Sequence, residues 1–141
     1  HLLHGVDSLK LLKVINKEGQ KLNRTINCLL QVHIADEDTK FGLSEAELLE
    51  LLNSEEYAGM ENIRLQGLMG MATYTNDLEQ VRQEFKNLKR IFEDIKGNYF
   101  EDKYYFSEVS MGMSGDYLIA SEEGSTMIRV GSLIFGLRNY L

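Results

Sequence analysis

The stretch Ser110-Met111-Gly112-Met113-Ser114-Gly115-Asp116, a helical run over Tyr117–Glu123, and then Gly124-Ser125-Thr126-Met127-Ile128-Arg129-Val130-Gly131-Ser132 decide the fold. Val109 to Met111 has the character of a strand end, Gly112 to Gly115 of a small-residue turn, and Asp116 of an N-cap. Gly124 is suited to end the short helix in a left-handed cap. Met127 to Val130 is a second strand, and Gly131-Ser132 opens a second helical turn. Two strand ends that each run through a turn into a helix point backbone N–H groups at one place, which is the chemistry a phosphate needs.

Working outward, the same unit recurs. His1 to Val6 is a short apolar run, and Asp7 or Ser8 caps a helix carrying Leu9, Leu12 and Ile15. Ile26 to Ala35 alternates. Ile26, Cys28, Leu30, Val32 and Ile34 make one apolar face, while Asn27, Leu29, Gln31 and His33 lie on the other. Ser44 with Glu47 spells a capping box before Leu48, Leu49, Leu51 and Leu52. Ile63 to Met71 is predicted as a strand, and Thr75-Asn76-Asp77 starts the longest helix, on Leu78, Val81, Phe85, Leu88, Phe92 and Ile95, ended by Gly97-Asn98. Tyr104 to Met111 and Met127 to Val130 are the last strands. Four strand-helix units and a final strand with a short helix predict an α/β fold with a parallel sheet.

Composition narrows the class. The chain has 141 residues, enough for a single domain over 1–141, with 43% hydrophobic and 26% charged residues. A net charge of −7 without a basic run argues against nucleic acid or an anionic membrane as partner. The single Cys28, with no signal-like or membrane-spanning stretch, fits a cytoplasmic protein. The lack of proline and of an initiator Met is read as the mark of a fragment.

The run Met111-Gly112-Met113-Ser114-Gly115-Asp116, with Met127-Ile128-Arg129-Val130-Gly131-Ser132-Leu133-Ile134-Phe135-Gly136-Leu137-Arg138-Asn139-Tyr140, resembles the C-terminal signature of the pyridoxal phosphate homeostasis proteins, the YggS/PROSC family. His4-Gly5-Val6-Asp7-Ser8, Leu29-Leu30-Gln31-Val32, Lys40-Phe41-Gly42-Leu43 and Gly67-Leu68-Met69-Gly70-Met71 match that family in the same order. The resemblance implies a single barrel of the alanine racemase N-terminal type. A full barrel of eight units takes about 250 residues. This chain therefore corresponds to a partial TIM-type (β/α) barrel of about five parallel strands, roughly the fourth to the eighth of the family barrel. In that family the Schiff-base lysine ends the first strand, so the resemblance implies that the N-terminal portion carrying it is absent. The lysines present fall on helix patterns or in connections.

The resemblance implies pyridoxal 5'-phosphate (PLP), held non-covalently at best in this chain, or a phosphate or sulfate ion. Ser114, Gly115, Gly131 and Ser132 would form the phosphate cup; ordinary caps and turns are the alternative. Arg129, on a strand, is expected to turn into the barrel toward the pyridine nitrogen, keeping it unprotonated. An internal salt bridge to a strand-end carboxylate is the other reading. Met71 and Met113, with Met69 and Met111, would pack on the cofactor ring, or simply be core. His33 would touch the ligand or serve as a hydrogen-bonded structural residue. His1 and His4 lack a third ligand for a metal.

Three functions follow: a PLP binding protein of vitamin B6 homeostasis without robust turnover, a PLP-dependent amino-acid racemase, or an inactive folding fragment. The chain stops at Asn139-Tyr140-Leu141, with no second domain for two-base racemisation. An open sheet of about five strands leaves unpaired edges, predicting self-association or pairing with the missing N-terminal part.

Overall fold

The computed structural model describes residues 1–37 and 41–136. Five strands form one sheet in the order β1-β2-β3-β4-β5, and every neighbouring pair is parallel. They are β1 (Leu2–Val6), β2 (Ile26–Gln31), β3 (Ile63–Met69), β4 (Glu108–Met113) and β5 (Met127–Arg129). The connections carry α1 (Leu9–Lys21), α2 (Glu45–Asn53), the short α3 (Glu55–Ala58), α4 (Leu78–Tyr99) and α5 (Tyr117–Glu122), and α6 (Ser132–Phe135) follows β5. The architecture is the expected partial barrel.

Local chemistry explains the helix starts. Ser8, rather than Asp7, caps α1 by accepting the Leu11 amide, and Ser44 with Glu47 closes the capping box of α2. Asp77 accepts from the amides of Glu79 and Gln80 at the start of α4. That helix continues past Gly97-Asn98 to Tyr99, its apolar face of Val81, Phe85, Leu88, Phe92 and Ile95 being buried. These side chains meet Cys28, Leu30, Leu65, Leu68, Val109 and Met111 from the helix-facing side of the sheet in one core.

Several predicted bounds move. β2 ends at Gln31, not Ala35, because the chain turns to pair Val32 with Leu43: the amide of Leu43 donates to the Gln31 carbonyl, and that of His33 to the Leu43 carbonyl. β3 ends at Met69, leaving Met71 beyond the strand. β4 begins at Glu108 rather than Tyr104. The Phe106 amide donates to the Lys103 carbonyl in a turn, and the Phe106 ring stacks on Phe100 at 4.1 Å and on Phe92 at 5.2 Å. The Lys40 and Leu137–Tyr140 parts of the family motifs lie outside the described residues.

The sheet is irregular where it matters. An extra residue shifts the register in β1 between Leu3 and Val6, in β3 opposite Cys28/Leu29, and in β4 between Ser110 and Met113. Such bulges bend a strand and re-aim a side chain. Glycines make the bulges of β3 and β4 possible. A Cβ on Gly67, at φ +153°, would lie 1.8 Å from the Glu108 carbonyl oxygen, and one on Gly112, at φ +96°, would lie 2.5 Å from the Ala120 Cβ.

Candidate functional site at the ends of β4 and β5

Val109 and Met111 belong to the core under the helices, so Ser110 between them faces the opposite, concave side of the sheet. There it is fully buried. Arg129 reaches it from the neighbouring strand. Nη1 donates to the Ser110 hydroxyl at 2.8 Å, and Nη2 to the Gly70 carbonyl at 3.1 Å. From β1, the Nδ1 of His4 lies 3.3 Å from the same hydroxyl.

The guanidinium thus turns into the concave face as expected. Both anchors are neutral. Burial lowers the pKa of Arg129, and the negative field of Asp116 opposes that shift. The His4 imidazole is pushed below the ordinary histidine value, first by burial and then by the Arg129 charge.

The two turns adjoin. The Gly131 amide donates to the Ser114 hydroxyl at 3.2 Å, tying the turn after β4 to the start of α6. That bond uses the Gly131 N–H, which the sequence reading had offered to a ligand. The amides of Gly115 and Ser132 donate to no protein group among the described residues. A Cβ on Gly115 or Gly131 would meet nothing within 4 Å, so the space beside both glycines is open. A cleft of about 570 Å³ begins at Gly115 and Asp116 and runs to Thr73, Tyr74 and Leu78.

Asp116 departs from expectation. It occupies the N-cap position of α5 without a capping bond, because its Oδ1 accepts the Met113 amide at 2.6 Å. The carboxylate is thereby folded back onto the turn. The four methionines also divide: Met111 is wholly buried under the helices and cannot reach the concave face, Met69 is buried, and Met71 and Met113 are half-buried. The Nε2 of His33 lies 3.0 Å from the Glu37 carbonyl, a structural contact within its own loop.

Sequence reasoning missed two contributors. His4, placed by its sequence in a family-matching run and without a third metal ligand, joins the Ser110–Arg129 pair. Glu84, on α4 and buried, accepts from the Thr73 amide and hydroxyl, both at 2.7 Å, and from the Asp36 amide at 3.2 Å. It fastens the loops after β2 and β3 at the same rim. The interleaving of a glutamate among the apolar residues of α4 was the available signal.

Other chemistries find little footing. Cys28 is buried and its thiol is pushed up to about 11, far from a nucleophile's range. Among the described residues no cluster of His, Cys, Asp and Glu could hold a metal, no lysine lies on a strand, and no helix is long and apolar enough to cross a membrane.

Comparison with known proteins finds relatives along nearly the whole chain. Over 138 residues the chain is 34% identical to a protein of Vibrio alginolyticus named "Pyridoxal phosphate homeostasis protein", covering 98% of this chain and 57% of that protein. It therefore spans little more than half the length of that relative. The structure of PipY from Synechococcus elongatus with PLP bound superposes with a TM-score of 0.82 at 27% identity, covering 96% of this chain and 60% of that one. An alanine racemase of Clostridium difficile shares the fold, with a TM-score of 0.63 at 18% identity over 96% of this chain and 34% of that one. The family model described as alanine racemase, N-terminal domain, matches residues 1–139. The chain belongs to the alanine racemase N-terminal domain family.

Proposed function

We propose that this chain binds PLP non-covalently on the concave face at the ends of β4 and β5, as part of a protein that keeps intracellular vitamin B6 available rather than of an enzyme. The observation that carries the reading is the hydrogen bond between Ser114 and Gly131, which brings the two turns together. The donor set suits a phosphate: hydroxyls from Ser114 and Ser132 and amides from Gly115 and Ser132, while the Asp116 carboxylate is folded back onto the Met113 amide. Gly131 contributes by holding Ser114 in place and by leaving room.

Arg129 would meet the pyridine nitrogen, and Met71 and Met113 would flank the ring. When bound, the cofactor supplies an electrophilic aldehyde and an electron-accepting ring. A guanidinium at the ring nitrogen favours its unprotonated state, which weakens the ring as an electron sink and fits a carrier. The names of the similar homeostasis proteins and of PLP-bound PipY support the same ligand. Cytoplasmic residence accords with the single, buried Cys28.

Titration with PLP, and separately with inorganic phosphate, followed by amide NMR, tests the site. Saturable shifts should centre on Gly115, Ser132 and the Arg129 side chain. Shifts scattered over the surface would overturn the assignment, and binding of phosphate alone would favour an inactive fragment. Turnover of an amino acid between its enantiomers would favour the racemase reading.

The open sheet supports a further part of the reading, self-association or pairing with a segment supplying the rest of the barrel. Among the described residues β1 and β5 each have one unpaired edge, and Ile128, Leu133, Ile134 and Phe135 are exposed beside the latter. Sedimentation should reveal species larger than the 16.2 kDa monomer; a stable monomer at all concentrations would contradict this.

A further inference from the structure

His4, Ser110 and Arg129 come from three different strands and meet on the concave face. A guanidinium has donors only, so Arg129 Nη1 must donate to the Ser110 oxygen. The serine's single proton is then left for an acceptor, and the Nδ1 of His4 stands 3.3 Å away. A chain that runs from Arg129 to Ser110 to His4 uses that proton, with Nδ1 as its acceptor and the imidazole proton on Nε2. The charged groups around the cluster are Arg129, from β5, and Asp116, from the turn after β4. Proton uptake by His4 would remove the acceptor and add a second cation beside Arg129.

We infer that His4 is a positioning residue: its neutral imidazole, acting through Ser110, holds the Arg129 guanidinium in the orientation that meets the ligand. The Gly70 carbonyl supplies the second anchor point of the fork. Two fixed donors define the plane of the guanidinium, and losing either leaves it free to rotate. The inference rests on the proposed PLP site for its effect on binding, but not for the hydrogen-bond chain itself.

The experiment compares the full chain with His4→Asn, His4→Leu and Ser110→Ala variants. Asn keeps an acceptor near the Nδ1 position and does not titrate; Leu keeps bulk alone. PLP affinity, measured by equilibrium dialysis, should fall about tenfold in His4→Leu and Ser110→Ala, the scale of one hydrogen bond. His4→Asn should stay within about threefold of the unmodified chain at neutral pH and lose its weakening in acid. Equal binding by all four proteins, or Asn as weak as Leu, would overturn the role of His4 while leaving the PLP site standing.

If the unmodified chain binds no PLP, the site reading fails and the positioning chain is still tested without ligand. Imidazole nitrogen shifts should identify the Nε2–H tautomer of His4, and the Arg129 guanidinium protons should exchange slowly until Ser110→Ala removes their acceptor. The opposite tautomer, or guanidinium exchange unaffected by the variant, would refute it.

Discussion

The Ser114 hydroxyl oxygen accepts the Gly131 amide across 3.2 Å, joining two turns that the chain separates by a whole helix and strand. Ser114→Ala removes this tie from an exposed position, where one hydrogen bond contributes about 0.5–1.5 kcal/mol. Inorganic phosphate and PLP should therefore bind about three- to tenfold more weakly, with the urea midpoint shifted only slightly. Unchanged affinity would mean that the two turns hold their positions without this bond.

Glu84 should matter more for order at the rim than its distance from β4 suggests. Its carboxylate serves the amides of Asp36 and Thr73 and also accepts from Gln80 Nε2 at 3.2 Å. Glu84→Ala leaves the Thr73 amide without its acceptor and the Asp36 amide with the Thr73 hydroxyl alone, at a cost of about 1–3 kcal/mol. Hydrogen exchange at Asp36 and Thr73 should accelerate while that of β2 and β3 changes little. Uniform acceleration over the chain would point to global destabilisation instead.

Gly112→Ala should be among the costliest single substitutions. The backbone there has φ +96°, and the new methyl would lie 2.5 Å from the Ala120 Cβ. Left-handed strain and overpacking together amount to about 2–4 kcal/mol. Denaturant unfolding reads this directly; a loss below about 1 kcal/mol would mean that α5 moves aside easily.

Acid should weaken the fold through His4. Its folded-state pKa lies below the unfolded value of 6.5, so the unfolded chain binds more protons once the pH falls below that point. Stability is therefore complete above the unfolded pKa and declines as the pH drops through the window between the two values. His4→Asn should show a shallower fall in stability as the pH drops below 6.5. Parallel pH profiles would exclude His4 as the titrating group.

The order of elements was legible because the apolar stripe keeps one period on α4, and Cys28, Leu30 and Val32 recur at every second residue of β2 and its continuation. What escaped were departures from those periods. Strict alternation along β1 puts His4 on the same side as Val6, which is buried against the helices. The extra residue between Leu3 and Val6 turns His4 to the other side, and nothing in a five-residue strand announces it. Tyr104 and Tyr105 have strong strand preference, yet the aromatic stack of Phe106 on Phe92 and Phe100 holds that segment in a turn. The Asp116 carboxylate had the right identity for a cap and found a nearer amide in Met113. The predicted pairing of turns near the carboxyl end survives because it needs only the parallel adjacency of β4 and β5.

Each strand lies beside its immediate predecessor in the chain, with no strand inserted later between two earlier ones. The sheet can consequently be built outward in the order of synthesis, every new hairpin-like β-α unit finding its docking edge already in place. Each pairing closes only the single crossover between neighbouring strands, the smallest loop a parallel sheet of this kind allows. Within this sheet, β1 to β5 could therefore dock one after another in chain order.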